Sequence, residues 1–492
     1  MKNHVSIFLT TLFLVALSPG CGTREELSQP GAPSTVILHV NLLPMTSETV
    51  LPNQTVLIEG DRIIRIGNTD DVEIPRNAQI IDGEGAYLMP GLADMHVHIY
   101  QESRDKYPVP PFNLYIAMGV TTIRDCGTAP LSQSDTFVLD WRDEILRGDI
   151  DGPMIYSSGR TIHGPVANPG RVVRQRYDDG FDFVKLYMEL SVDEFTQAQN
   201  TAEELGVYTV GHIPYQVGFD NALSTGMDEI AHLEELSFEL MWGEQRPTHT
   251  LSMDLWLDSI VSATYETFGY EMGTEVVFDP DKFEGVLGEH LNHILNSLIS
   301  NDIPVGTTLA TYEVIDQKLF DQDAFLARDE NIYLQEELIQ EVIQGQNRHQ
   351  LAFQALGDKQ AAWLWKEELD IYLLQRLHEA GIMFVSGTDA GSSSIGVVEG
   401  FATHDDLRLL TAFGFTPYEA LQTATVNAAY VAEKMIGEND FGTIETGKRA
   451  DLVLVAGNPL EDIKNTQNIL GVMVRGKWYP AGELEEMIAV GD

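Results

Sequence analysis

His96 and His98 end the run Met89-Pro90-Gly91-Leu92-Ala93-Asp94-Met95-His96-Val97-His98. Side chains alternate faces along a β-strand, so residues i and i+2 point the same way. Two imidazoles on one face at a strand end can bind one metal ion. Taken alone, the pair reads equally well as two inward polar residues without a ligand. Other candidates end other apolar runs. Arg124-Asp125 follows Val120-Thr121-Thr122-Ile123, and Lys185 sits inside Asp182-Phe183-Val184-Lys185-Leu186-Tyr187. A lysine within an apolar strand is costly unless paired or modified. His212 in Val210-Gly211-His212-Ile213-Pro214 and His232 in Ile230-Ala231-His232-Leu233 stand twenty residues apart at successive strand ends. That repetition favours a metal over two unrelated core histidines. Asp389, in Val385-Ser386-Gly387-Thr388-Asp389-Ala390-Gly391, suits a helix N-cap or a metal-bound carboxylate that takes a proton from water.

These residues need a scaffold that brings many strand ends together. Strand-like runs at Tyr87–Met95, Val120–Arg124, Pro153–Ser158, Phe183–Tyr187, Tyr208–His212, Glu229–His232, Pro304–Leu309 and Ile382–Thr388 alternate with helical stretches. Such alternation predicts βα units and a parallel sheet, and eight units fit a (β/α)8 TIM barrel. In that fold, functional side chains stand at the carboxyl ends of the strands. Polar, helix-like inserts at about 237–300 and 312–375 decorate the rim or form a lid or substrate wall. Both chain ends have a different texture. Runs at Thr35–Val40, Thr55–Glu59, Arg62–Ile66 and Gln79–Asp82, and again at Gly442–Ile444, Asp451–Val455 and Gly471–Arg475, read as short strands punctuated by turns. The α/β chain is therefore expected to hold a barrel over 89–436. A small composite β-sandwich domain is expected from 35–88 plus 437–485.

Composition narrows the function classes. The 492 residues are 43% hydrophobic and carry 30 Lys plus Arg against 75 Asp plus Glu, a formal charge of −45. A sizeable core is available, and a binder of nucleic-acid phosphates is not expected. The acidity suits a solvated surface or adaptation to high ionic strength. Lys2 followed by the apolar stretch Val5–Leu17 reads as a targeting signal over residues 1–21. It ends in Leu17-Ser18-Pro19-Gly20-Cys21, similar to a bacterial lipoprotein signal in which Cys21 is lipidated. An ordinary secretory signal is the alternative. Export is expected either way, to the cell envelope (periplasm or outer membrane) as a lipoprotein, or as a periplasmic or secreted protein. Residues 22–34 read as a flexible tether. Cys21 and Cys126 are the two cysteines, so a lipidated Cys21 leaves Cys126 alone.

Five separated motifs, in order, resemble the metal-dependent amidohydrolase superfamily. Pro90–His98 resembles its first-strand signature, Gly119-Val120-Thr121-Thr122-Ile123-Arg124-Asp125 its second strand, and Ser386-Gly387-Thr388-Asp389-Ala390 its eighth. Ala424-Thr425-Val426-Asn427-Ala428-Ala429 resembles the helix that follows, and Gly442–Leu454 the return into a composite β domain. The chain is most similar to the imidazolonepropionase-like branch that includes Xaa-Pro dipeptidases. The resemblance implies that His96, His98 and Asp389 bind one divalent metal. His212 and His232 would bind a second, and Lys185, N6-carboxylated, would bridge the two; zinc suits such ligands. Two bridged metals lower the pKa of a shared water and polarise a scissile carbonyl. Asp389 would take the water's proton and pass it to the leaving amine.

The chain departs from the branch after the third strand. A Gly-Gly-His run there is replaced by Ser158-Gly159-Arg160-Thr161-Ile162-His163-Gly164. His163 and Tyr187 are candidate substrate contacts. Arg124 suits a substrate carboxylate, or a pair with Asp125 or a rim acid. The expected function is an exported amidohydrolase cleaving a C–N bond, a small peptide or other amide being the substrate. Its partners would be that small molecule, no nucleic acid, the membrane only through the lipid anchor, and a second copy in a homo-oligomer. Two alternatives stand beside it: a mononuclear cyclic-amide hydrolase or deaminase, and a non-catalytic surface lipoprotein using the barrel as a binding scaffold.

Overall fold

The computed structural model describes residues 34–490 apart from 102–106, 128–135, 244–245, 248–252, 272–273, 275 and 393. The signal segment, Cys21 and all but the last residue of the tether lie outside the described residues.

Five strands come first: β1 (Ser34–Leu42), β2 (Leu51–Glu59), β3 (Arg62–Asn68), β4 (Gln79–Asp82) and β5 (Tyr87–Pro90). Short strands then alternate with helices: β6 (Leu92–Val97), β7 (Val120–Asp125), β8 (Met154–Ser157), β9 (Phe183–Leu186), β10 (Tyr208–Gly211), β11 (Glu229–Ile230), β12 (Val305–Gly306) and β13 (Phe384–Val385). Last come β14 (Leu452–Val455), β15 (Ile469–Val474) and β16 (Lys477–Pro480).

Both chain ends build one eight-stranded sheet, ordered β16-β15-β14-β5-β1-β2-β3, with β4 beside β1. Ile37, Val56, Ile58 and Leu88 from the first end pack with Leu452 and Met473 from the second. Burial of this shared apolar surface holds the two ends together. Arg449 adds a polar clasp. Its Nε donates to Asp451 Oδ2 at 2.5 Å, Nη1 to Asp440 Oδ1 at 2.9 Å, and Nη2 to Thr122 Oγ1 on β7 at 2.9 Å.

β5 and β6 form one apolar run in the sequence, and the structure divides it at Gly91. The Gly91 amide donates to Asp451 O at 2.8 Å, and the Leu92 amide to Gly119 O at 2.9 Å. A Cβ at position 91 would lie 2.1 Å from Thr121 Oγ1. The chain thus leaves the end sheet where a side chain has no room.

The middle strands form two parallel sheets, β6-β7-β8 and β13-β12-β11-β10-β9. Backbone hydrogen bonds join them at both seams. Met95 N donates to Ser386 O at 2.8 Å and Asp389 N to His96 O at 2.8 Å; on the other side Asp182 N donates to Ser157 O at 2.9 Å and Ile162 N to Lys185 O at 2.8 Å. The helix Val192–Leu205 shows how the local sequence sets the alternation. Ser191 and Glu194 form a capping box at its start, and Gly206 ends it with φ 67°.

Strands expected at Pro304–Leu309 and Ile382–Thr388 shorten to two residues each. Leu309 instead opens the helix Leu309–Phe320, because Thr308 turns with φ 48°. Residues 442–444 form no strand; Ile444 N donates to Pro44 O at 3.0 Å and its side chain fills the end-sheet core. The stretches read as inserts are helical, including Glu234–Trp242, Met253–Phe268, Pro280–Asn301 and Ala361–Glu379.

Replacing Arg449 by Met would leave the buried Asp451 carboxylate, 2% exposed, without its charge partner. We expect a loss of about 3–5 kcal/mol, read by urea unfolding.

Candidate metal centre

His96 lies on β6 and His98 follows it; Lys185 lies on β9; His212 follows β10, His232 follows β11, and Asp389 follows β13. All six line one cavity of about 480 Å³. Its floor is therefore made from the carboxyl ends of five strands.

His98 Nε2 lies 2.7 Å from Asp389 Oδ1, and His96 Nε2 lies 3.6 Å from the same oxygen. One ligand atom from each of His96, His98 and Asp389 lies within 4.8 Å of the others. Lys185 Nζ stands 3.4 Å from His96 Nε2. The rings of His96 and His232 are 4.5 Å apart between centroids, and those of His232 and His212 are 4.7 Å apart.

The electrostatics suit cation ligands. Burial holds the imidazoles of His96, His212 and His232 well below their ordinary pKa, and the nearby Lys185 acts in the same direction on each. A neutral imidazole is the ligand form. Burial opposes the charged forms of His98 and Asp389 too, but their mutual attraction prevails. His98 is raised, and Asp389 is drawn down to about 2. Burial lowers the Lys185 ammonium. Three neutral imidazoles, a carboxylate and a lysine 1% exposed make a donor set that fits divalent metal, the lysine joining as an oxygen ligand once carboxylated.

Neighbours hold the imidazoles of His98, His212 and His232 and the backbone that carries His96; His96 Nδ1 itself is buried without a hydrogen-bond partner among the described residues. His98 Nδ1 donates to Gly127 O at 2.5 Å. His212 Nδ1 lies 2.6 Å from Glu235 Oε1, while Glu235 Oε2 accepts from Ile213 N at 3.1 Å. Burial raises the Glu235 carboxyl to about 8. His232 Nδ1 is 3.3 Å from Thr308 Oγ1. Asp94 holds the opposite seam. Its Oδ1 accepts from the amides of His96 and Thr388 at 3.3 and 3.0 Å, and its Oδ2 from Thr388 Oγ1 at 2.6 Å. Asp389 itself has φ 58°, an uncommon conformation for a residue with a side chain. Gly387 permits the close approach, since a Cβ there would lie 2.6 Å from His96 Cβ.

His163 and Tyr187 also line the cavity, their rings 4.2 Å apart, and Tyr187 packs 4.5 Å from His212. His163 Nδ1 is 3.4 Å from Glu189 Oε2. The substrate role expected of Arg124 is corrected, because Arg124 does not line the cavity. Its Nη1 donates to Glu229 Oε2 at 2.7 Å, Nη2 to Glu229 Oε1, and Nε to Met95 O at 2.6 Å. Asp125 is not its partner; it accepts from Ser157 Oγ at 2.7 Å and Ile99 N at 3.1 Å.

Sequence reasoning missed Asp94, Glu235, Arg348 and His349. Glu235 stands in the first turn of a helix three residues after His232, which is the one local signal that pointed to it. Arg348 and His349 line the cavity from the second insert, where no pattern marks them. Cys126 is a free, buried thiol.

Removing a carboxylate that orients a metal-binding imidazole lowers metal affinity about 10- to 100-fold. We expect that loss for Glu235→Ala, measured by competition with a chromogenic chelator.

A model of the amidohydrolase family matches residues 326–479. Adenine deaminase from Staphylothermus marinus is 37% identical over 90 residues, 18% of this chain and 14% of that protein. The chain spans under a fifth of the length of the curated relatives it matches. A solved Xaa-Pro dipeptidase with methionine bound in its active site is 21% identical, with a TM-score of 0.60, over 91% of this chain and 100% of that one. A prolidase complexed with N-methylphosphonate-L-proline is 19% identical, with a TM-score of 0.57, over 91% and 99%. At these identities the structural matches are likenesses of fold.

Proposed function

We propose that this chain belongs to the amidohydrolase superfamily, whose family model matches residues 326–479, and that it is a metal-dependent hydrolase of C–N bonds in small amides, dipeptides among them. The compact His96–His98–Asp389 group, with Lys185, His212 and His232 in the same cavity, is the observation that carries this reading. The prolidase-like neighbours support the choice of a peptide-like substrate.

His96, His98 and Asp389 would hold one divalent ion, zinc by its ligand set, and His212 and His232 a second. Lys185 would bridge them after its amine nitrogen bonds to carbon dioxide and releases a proton. The bound metal supplies an acidified water and a polarised carbonyl. Asp389 accepts the proton of the attacking water and returns it to the departing nitrogen. A C–O bond forms, the C–N bond breaks, and an acid and an amine leave. His163 and Tyr187 contact the substrate.

The same reading extends to the scaffold. The two parallel sheets form one (β/α)8 barrel over 89–436, a view supported by the hydrogen bonds at both seams. The composite β domain takes 35–88 and 437–485. We retain export through the 1–21 signal, lipidation at Cys21 and a homo-oligomer as parts of this proposal. No helix among the described residues is long and apolar enough to cross a membrane.

One observation supports a one-metal reading: among the described residues it is His96, His98 and Asp389 whose ligand atoms lie within 4.8 Å of one another. Metal content separates the two: near two ions per chain supports the bridged centre, near one the mononuclear enzyme. Chelation should abolish turnover of a dipeptide and N-acyl-amino-acid library, and zinc with bicarbonate should restore it. Asp389→Asn should lower kcat by about 10²- to 10⁴-fold with the fold retained by circular dichroism. If zinc-loaded protein turns over no amide, ester or lactone, the non-catalytic scaffold reading replaces this one.

A further inference from the structure

Arg348 and His349 begin the helix Arg348–Ala355 and line the cavity that holds the metal centre. No hydrogen bond or ion pair joins the Arg348 guanidinium to any described residue. Asp389, Tyr187 and Tyr100 favour its charged form electrostatically, and its charge acts on its neighbours His349 and Lys318 as well. Behind it, Lys318 is 2% exposed. Lys318 Nζ lies 3.2 Å from His349 Nδ1 and 3.4 Å from Asn347 Oδ1, and donates to Ser394 O at 3.2 Å and Ile395 O at 2.5 Å. None of these acceptors carries a charge.

Two of the cavity's carboxylates are engaged elsewhere: Asp389 faces His98 at 2.7 Å and Glu234 faces Lys366 at 3.1 Å. Glu189 stands 3.4 Å from His163 and Glu367 3.8 Å from Lys366, and neither forms an ion pair with Arg348. A chain with a formal charge of −45 has acids to spare, yet none of its described ones forms an ion pair with Arg348 or Lys318. Burial and the neighbouring Arg348 and Arg328 push the Lys318 ammonium down to about 7. Such a cluster is unfavourable unless an anion completes it.

The charges suit one. His349 Nδ1 lies 3.2 Å from Lys318 Nζ and 3.1 Å from Asn347 Oδ1, and burial with the neighbouring Lys318 and Arg348 pushes the imidazole down to about 2, so the ring is neutral. It stands next to a guanidinium whose planar fork matches a carboxylate. The nearby Asp389 disfavours a dianion such as phosphate more than a monoanion.

We propose that Arg348 and His349, backed by Lys318, form a subsite for a carboxylate on the substrate, so that the amide cleaved here carries a free carboxylate. The statement about the amide rests on the hydrolase reading above; the subsite itself does not. The role expected of Arg124 thereby passes to Arg348.

The test uses zinc-loaded full-length protein and a pair of ligands without an amide, 4-phenylbutanoate and 4-phenylbutan-1-ol, titrated by calorimetry. Wild type should bind the acid at least about tenfold more tightly, the usual effect of a charge-assisted hydrogen bond. Arg348→Met should bring the ratio near one, and Arg348→Lys should recover part of it, with thermal unfolding confirming that both variants fold. Lys318→Met should narrow the ratio if that residue backs the subsite. Equal binding or no binding of the two ligands by wild type, or a preference that survives in Arg348→Met, overturns the proposal. So does an Arg348-dependent preference for phenyl phosphate over the acid, which would make phosphate the ligand. Acid preference without turnover of any amide leaves the subsite standing and removes the hydrolase reading.

Discussion

The buried carboxylate of Asp94 is the constraint on which the centre depends. It binds the His96 amide on one side and the Thr388 amide and hydroxyl on the other, spanning 294 residues of sequence. Burial raises its pKa to about 6, and the hydrogen bonds from Thr388, His96 and Thr403 oppose that rise. Through this one group, the strand carrying two imidazoles and the turn carrying Asp389 are held in a single geometry. The backbone bond from Asp389 N to His96 O reinforces the same seam. Asp94 thus acts through the backbone that carries the ligand side chains, since it bonds the amides of His96 and Thr388.

Charge is sorted in layers around that seam. Beneath the cavity, Arg124 and Glu229 neutralise one another among apolar neighbours, and Tyr208 donates to Glu229 Oε2 at 3.1 Å. At cavity level the imidazoles of His96, His212 and His232 remain uncharged, so Lys185 does not stand among three further cations. On the walls Lys366 absorbs the charge of Glu234 and Asp370. The guanidinium of Arg348 lines the cavity without an ion pair to any described residue. The low dielectric of a partly enclosed cavity makes each of these pairings, and the missing one, matter more than it would on the surface.

Much of this was legible from local sequence. His96 and His98 declare themselves because strand periodicity places i and i+2 on one face. Lys185 declares itself because an ammonium inside Phe183-Val184-Lys185-Leu186 has no ordinary reason to be there. The two chain ends announce short strands through their turns, and the structure joins them in one sheet. Arg124 misled, because a strand-end arginine looks alike whether it faces a substrate or a carboxylate on a neighbouring strand. Arg348 and His349 were silent, since charged residues are normal in a polar helical insert. The run Tyr87–Met95 hid the change of sheet at Gly91, because both halves are apolar and only the Thr121 side chain across the gap forbids a residue larger than glycine.

The sequence by itself determined which residue types stand at the strand ends, for the pattern that puts them there is local and each strand carries its own signal. Only the tertiary structure decided which of those residues meet. His98 and Asp389 are 291 residues apart in the chain and 2.7 Å apart in space. Arg124 finds Glu229, and Arg348 is left facing the cavity. These outcomes depend on side-chain directions and on the register of parallel strands laid side by side. Those are properties of pairs of segments, and no single segment encodes them.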